Sequence, residues 1–397
     1  MTDFEATRAM FDLPEGLIYL DGNSLGPLPR VATQQVGALM REEWGTQLIK
    51  GWNACGWMDT PGRVGDRIAK LIGAGPGTVV IGDTLSIKVY QALAAALALR
   101  PERSVVLSDT GNFPTDLYMA EGLLRTMGGR VELRLVEPHE IESAIDDSVA
   151  AVMLTQADYR SGRLHDMRAV SAAAHAVGAL TVWDLAHTAG AIEVRLDADG
   201  ADFAVGCTYK YLNGGPGAPA FIYVADRHQS DSTPALSGWL GHEQPFAFDL
   251  DYRPGAGIDR MRVGTPPIIA CAALDAALDI WDMADIRDVR KKSMELSERF
   301  IEEVEQRCPQ LTLASPRDPQ MRGSQVSFAF DQGYAVVQAL IANGVVGDFR
   351  APDILRFGFT PLYLSVDEVV RATETLERIM NDRLWDRPEF KTMAAVT

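Results

Sequence analysis

Asp184 and Lys210 are the two residues whose types and places in the chain combine into a specific chemistry. Ala179–Trp183 is a short apolar run rich in β-formers and Ala201–Thr208 is a second, so each polar residue falls where a parallel strand is predicted to end and its loop to begin. In open α/β sheets ligands bind at that edge. Lys210 precedes Asn213-Gly214-Gly215-Pro216-Gly217, a turn-rich segment that suits a lysine held in place better than one floating in solvent. Pyridoxal phosphate needs this pair: an amine to hold its aldehyde and an acid for its pyridinium nitrogen. A nearby carboxylate keeps that nitrogen protonated, which makes the ring an electron sink. A desolvated lysine serves as nucleophile and base. Either residue alone would read as structural; the pair points to the cofactor.

The elements that must position the pair follow from the periodicity. Thr78–Ile81, Ser104–Leu107, Val131–Val136 and Ala150–Leu154 read as strands, with helices over Ser86–Leu99, Thr115–Met127 and Met167–Val177 and a short one after Val136. This alternation specifies an α/β fold, a mostly parallel sheet flanked by helices. Ahead of it, residues 17–30 read as a short strand running into a turn, and a helix from Val31 places Val36, Leu39, Met40 and Trp44 on one buried face. Residues 51–57 read as a loop whose tryptophans, Trp52 and Trp57, pack a core corner or line an aromatic pocket. Thr60-Pro61 opens a helix that buries Val64, Ile68, Leu71 and Ile72.

After Val224 the chain is irregular to residue 267, a length that suggests functional loops. Helices from about Ile268 and over Ile286–Gln306, strands Gln325–Phe330 and Ile354–Phe357, and a capping box at Ser365–Glu368 form a smaller α+β domain. The expected division is an N-terminal segment, 1–50, packing with the small domain, a large cofactor-binding domain, 51–267, and the small domain, 268–397.

Loops after the strands hold groups that could complete a site. Asp83-Thr84-Leu85-Ser86 opens a helix, where free amides, the dipole and the Ser86 hydroxyl favour a phosphate, although a plain N-cap explains it too. Phe113 could stack on a planar ring or staple the helix that follows. Thr155 ends a strand, and His187 lies one helical turn past Asp184. Tyr209 could give its phenol to a phosphate or a proton. Arg356 could clamp a carboxylate in bidentate fashion, or be a solvent-exposed strand arginine.

Composition narrows the class. Hydrophobic residues at 47% and charged residues at 23% of 397 are those of a globular protein. A net charge of −17, from 37 basic and 54 acidic side chains, argues against nucleic acid or an anionic membrane as partner. The four cysteines, Cys55, Cys207, Cys271 and Cys308, have no paired spacing, which suggests neither zinc nor a disulfide framework and fits a reducing compartment. The N-terminus has no secretory pattern, and a cytoplasmic location is expected.

Taken together, LDGNSLG (20–26), FPTD (113–116), DLAH (184–187), YKYLNGGPG (209–217), SGWLGH (237–242), RVGTPPI (262–268) and LRFGFTPLY (355–363) resemble the kynureninase family, fold-type I pyridoxal-phosphate enzymes of the aspartate aminotransferase superfamily. The resemblance implies hydrolytic Cβ–Cγ cleavage of L-kynurenine, and more weakly of its 3-hydroxy form, to anthranilate and L-alanine in tryptophan catabolism. It implies Lys210 as the covalent attachment, Asp184 on the pyridinium nitrogen and Phe113 stacked on the ring. Leu85, Ser86 and Tyr209 would hold phosphate, and Asp116, Thr155 and His187 would surround the ring and its hydroxyl. Trp239 and Thr265 would reach across a homodimer interface. Arg356 would bind the α-carboxylate, and Trp52, Gly264 and Thr265 would shape the aromatic pocket. That last group departs from animal members, which carry a histidine at the Trp52 position and a Ser-Asn pair at Gly264-Thr265. Lys88 also departs, standing where relatives often show asparagine. The alternatives are a cysteine desulfurase or selenocysteine lyase, which needs a mobile loop cysteine and has only Cys55 for it, and a pyridoxal-phosphate-binding regulator without catalysis.

Overall fold

A computed structural model describes residues 1–392. Its centre is a seven-stranded sheet built from β2 (Val79–Ile81), β3 (Val105–Asp109), β4 (Glu132–Val136), β5 (Val149–Thr155), β6 (Leu180–Asp184), β7 (Phe203–Gly206) and β8 (Phe221–Val224); β1 (Ile18–Tyr19) lies outside it. The order is β2-β8-β7-β6-β5-β3-β4, parallel from β7 through β4, with β8 antiparallel to both of its neighbours. Strand β8 was not foreseen as a separate element. The segment 207–220 that reaches it contains no helix, and without a crossover helix the chain can only turn back and pair antiparallel.

Strands β5 and β6 are buried along their whole length, as parallel strands covered on both faces must be. The helix Leu85–Ala98 covers one face and belongs to a core with Val106, Ala151, Val182, Phe203 and Ile222. The other face joins a larger core that continues from Val64, Ile68 and Trp183 into Phe300, Val326, Leu355 and Leu376 of the C-terminal region. There β9 (Thr312–Leu313), β10 (Gln325–Ala329), β12 (Asp348–Arg350) and β13 (Ile354–Gly358) form an antiparallel sheet in the order β12-β13-β10-β9, while β11 (Val345–Val346) pairs with β1. The Ser365 capping box forms as expected and opens the helix Val366–Asn381.

The N-terminal segment runs along this C-terminal sheet. Thr7 Oγ1 donates to the Leu362 carbonyl at 3.0 Å, Arg8 pairs with Glu368, and the rings of Phe11 and Tyr363 meet at 5.2 Å. The helix Ile268–Ala277 packs against Arg30–Ala38 and Thr60–Leu71.

Two expectations need correction. Residues 51–54 are a helical turn, with Trp57 buried and Trp52 edge-on to it at 5.6 Å. The face of the helix from residue 30 is not buried throughout: a wide π-turn over Leu39–Trp44 rotates the chain, so that only Leu39 is enclosed while Met40 is 46% and Trp44 52% exposed.

At the sheet edge away from Asp184, buried Asp202 accepts from Thr181 N at 2.8 Å, His175 Nε2 at 2.9 Å, His228 Nε2 at 2.7 Å and Arg227 Nη2 at 2.8 Å. Burial alone would raise its carboxyl; the hydrogen bonds from His175 and His228 outweigh that and hold it well below the usual range. A depressed acid adds stability above its unfolded value and loses it as pH falls through that value and then the folded one. We predict that Asp202→Ala, by leaving these donors unpaired, costs roughly 3–5 kcal/mol in denaturant unfolding near pH 7. A loss below about 1 kcal/mol would mean that the cluster is not an anchor.

Candidate active site

The carboxyl ends of the parallel strands converge on one place. Thr155 and Asp184 are register partners at the ends of β5 and β6, and Asp184 pairs in turn with Val205 of β7. Beyond β7 the chain turns at Cys207–Tyr209 and delivers Lys210, whose Nζ lies 3.0 Å from His187 Nε2. His187 follows Asp184 in a tight turn in which Asp184 Oδ1 accepts from Ala186 N at 2.8 Å. Asp116 enters from the first turn of the helix Pro114–Thr126, with its carboxyl against that of Asp184.

Electrostatics at this place are strained by burial. Burial pushes Asp184 from 3.8 up to about 6, against the downward pull of Lys210 and the Ala186 amide. Asp116 is raised well above its ordinary value, by burial first and then by the negative Asp184. His187 is driven well below its ordinary value, by burial first and then by the charge of Lys210, so its ring is neutral. The Tyr209 phenol is raised by neighbouring Cys207 and by burial, so it keeps its proton at neutral pH. Its ring centre lies 5.8 Å from Lys210 Nζ.

The helix Leu85–Ala98 follows β2, which ends at the same edge of the sheet as β7, and Thr84, its N-cap, makes no side-chain cap bond, which leaves the first amides free for an anion. Phe113 does not act as a staple. It is 38% exposed and meets Tyr159 edge-on at 5.2 Å, while Asn112 Oδ1 accepts from its amide at 2.7 Å and fixes its place.

Arg356 departs furthest from its expected settings. It is buried, not a solvent-exposed strand residue, and its guanidinium is already engaged. Nε donates to Asp348 Oδ1 at 2.6 Å, Nη2 to the other Asp348 oxygen and to Ser24 Oγ at 3.1 Å, and Nη1 to the Tyr159 carbonyl. The Nε edge is therefore closed to a second carboxylate, and a bidentate clamp would have to displace Ser24 or Tyr159 from the outer edge. Asp348, Ser24 and Tyr159 escaped the sequence reading. Asp348 stands opposite Arg356 on β12, a three-residue strand too short to show a period.

The remaining candidates lie at exposed margins. Trp239 meets Phe246 at 5.7 Å on a surface loop, and Gly264 and Thr265 are exposed beside Gly82 and Asp83. Among the described residues no cluster suited to a metal ion occurs, and no helix is long and apolar enough to cross a membrane.

These residues fit pyridoxal phosphate. Two buried acids share one spot with a lysine at hand, and the buried atoms Asp116 Oδ2 and His187 Nδ1 have no partner within the protein, as groups reserved for a bound ring would not. The fold agrees. The chain superposes on a cysteine desulfurase from Thermococcus onnurineus NA1 with a TM-score of 0.80 at 18% identity, covering 95% of this chain and 98% of that one. It also superposes on the cystine C-S lyase C-DES with a TM-score of 0.75 at 16% identity, covering 91% of this chain and 98% of that one. Fold and site together define a pyridoxal-phosphate enzyme of fold type I. Sequence likeness narrows this. The chain is 49% identical to the kynureninases of Pseudomonas fluorescens and Burkholderia pseudomallei (strain 1106a), over 98% of its own length and 95% of theirs. The family model "Kynureninase C-terminal domain" matches residues 289–376. The chain belongs to the kynureninase family.

Because Asp184 is raised in the cofactor-free protein, its contribution to stability falls as pH rises from about 4 to 6 and stays lost above. Asp184→Asn removes that cost. We predict that at pH 8 the cofactor-free variant is more stable than wild type by roughly 1–3 kcal/mol, whereas the variant holds pyridoxal phosphate more weakly. Calorimetry of both forms measures this, and an apo variant melting well below wild type at pH 8 contradicts it.

Proposed function

We propose that the protein hydrolyses L-kynurenine at its Cβ–Cγ bond to anthranilate and L-alanine, and 3-hydroxykynurenine more slowly. The observation that carries this reading is the Lys210, His187 and Asp184 constellation in a chain 49% identical to kynureninases over nearly its whole length. When bound, the cofactor supplies an electron sink for the pair left on the amino-acid substrate by bond cleavage.

The chain's own residues do the rest in this reading. Lys210 would hold the cofactor, and its free amine would take the substrate's α-proton at Nζ. Neutral His187 is poised 3.0 Å from that nitrogen and orients it. Asp184 would accept from the pyridinium N–H, with Asp116 and Thr155 beside it. The free amides of Leu85 and Ser86, with the Tyr209 hydroxyl, would hold the phosphate, and Phe113 would cover the ring. The protonated phenol of Tyr209 would also donate to the departing carbon. Arg356, preset by Asp348, receives the α-carboxylate at its outer edge.

Trp52, Gly264 and Thr265 would shape the aromatic pocket, and none of the three offers an imidazole or carboxamide to a ring hydroxyl. A site without such a partner gains nothing from the hydroxyl of 3-hydroxykynurenine.

The reading includes a homodimer. Leu17, Leu28, Val36, Met40, Pro216 and Ile269 line an open apolar groove, and Leu28, Met40, Trp44 and Ile269 are exposed around it, a patch that a second copy would cover. Trp239 and Thr265 would then serve the neighbouring site. The four unpaired cysteines agree with a reducing, cytoplasmic setting. Cys207, Cys271 and Cys308 are buried, so they do not act as the mobile nucleophile of a desulfurase.

Incubating the yellow holoenzyme with L-kynurenine should release fluorescent anthranilate, and Lys210→Ala should lower kcat by at least roughly 10³-fold; a variant retaining most activity would exclude the scheme. Met40→Asp combined with Trp44→Asp should give monomers in sedimentation with little turnover, and an active monomer would remove the shared-site element.

A further inference from the structure

Lys88 is the one fully buried lysine beside the proposed site that the reaction leaves without a task. It sits one turn inside the helix Leu85–Ala98 with no accessible surface. Its ammonium has three protons, and three acceptors surround it: Asp83 Oδ2 at 3.2 Å, Gln91 Oε1 at 2.9 Å and the Met261 carbonyl at 3.2 Å. Gln91 Nε2 donates to the same carbonyl at 3.1 Å. Burial lowers the lysine's affinity for its proton, and Asp83 opposes that loss.

The three acceptors belong to separate pieces of the fold. Asp83 precedes the helix and is held at φ +53°, a left-handed conformation disfavoured for any side chain larger than glycine. Its carbonyl accepts from Ala220 N at 3.0 Å, which ties it also to the start of β8. Gln91 lies within the helix. Met261 is buried at the end of the short 3₁₀ turn Gly257–Met261, three residues before Gly264. Lys88, Asp83, Gly264 and Thr265 line one narrow cleft.

We propose that Lys88 is a positioning residue: from inside the helix it fastens the loop that orients the Leu85 and Ser86 amides to the segment that carries Gly264 and Thr265, so that the phosphate cradle of one site and the substrate turn offered to the neighbouring site keep one fixed spacing. This rests on the reading of Leu85 and Ser86 as the cradle. A salt bridge alone would need only Asp83. The third proton, spent on a carbonyl 173 residues away in sequence, is what couples the two segments. An asparagine at this position would be too short to make the same three contacts.

The test compares retention of pyridoxal phosphate with binding of pyridoxal, which lacks the phosphate, in wild type, K88M, D83N and S86P. We expect folded K88M to release pyridoxal phosphate roughly tenfold faster, to bind pyridoxal as wild type does, and to show a raised KM for kynurenine with kcat at saturating cofactor lowered less. D83N, which keeps the acceptor and removes the charge, should fall between K88M and wild type. Wild-type retention of pyridoxal phosphate in folded K88M overturns the proposal, as does equal weakening of both ligands, the mark of a generally loosened fold. If K88M does not fold, D83N carries the test, and wild-type retention there overturns it. S86P, which removes the Ser86 amide in a first turn that tolerates proline, probes the cradle separately: loss of the preference for pyridoxal phosphate in S86P but not in K88M overturns the role of Lys88 and leaves the cradle standing, whereas an unchanged preference in S86P overturns the cradle.

Discussion

Two acids, Asp116 and Asp184, are buried against each other at the end of a parallel strand, and such an arrangement is costly unless a cation relieves it. Within the chain, only partial relief is available. Lys210 lowers both carboxyls, yet burial still leaves both raised. A protonated ring nitrogen placed there would meet a preformed acceptor without further reorganisation, so the protein stores in its cofactor-free form part of the free energy that later favours the bound ring.

This constraint organises the architecture around it. The strands must run parallel so that Thr155, Asp184 and the segment after β7 end at one edge, and they must be buried on both faces so that water does not screen the acids. The lysine then cannot ride on a crossover helix, which would carry it away across a face. It rides on the helix-free return to β8, and the antiparallel strand is the consequence. The N-terminal segment holds that return in place: Gly26 N donates to the Tyr209 carbonyl at 2.7 Å, and a Cβ at Gly26 would come within 2.4 Å of the Lys210 carbonyl oxygen, so no larger residue fits.

What could be read from the sequence follows the same division. Strands β5 and β6 and the helices around them were legible because each is a long run with one period, and the acid and lysine stand at the ends of such runs. Strand β8 follows closely on the lysine's turn and is not legible as an element, because nothing in Phe221–Val224 states its direction. Asp348 was hidden for a different reason: its partner, Arg356, is fixed by cross-strand register, and register between short antiparallel strands is set by the turn and the packing rather than by either strand's composition. Met40 and Trp44 misled because an apolar helical face has the same pattern whether it meets its own core or lies open at the surface.

The surroundings of Arg356 show how a chain of net charge −17 can receive an anionic substrate. Asp348 takes one edge of the guanidinium and is itself held by Arg350 at 3.0 Å, which leaves two cations against one firmly ionised acid. Burial lowers Arg350; burial would raise Asp348, but the hydrogen bonds and charge of Arg356 outweigh it and leave that acid below its usual range. The other nearby acid, Asp21, is pushed up to about 7 by burial and by Asp348, and its buried Oδ1 has no partner. Near neutral pH the cluster therefore carries a positive surplus in spite of the acidic exterior. Asp348 is not a competitor for the substrate carboxylate in this arrangement. By holding Arg356 in one orientation it spares the arginine the entropy of being ordered when the substrate arrives, and the second cation supplies the charge that Asp348 takes up.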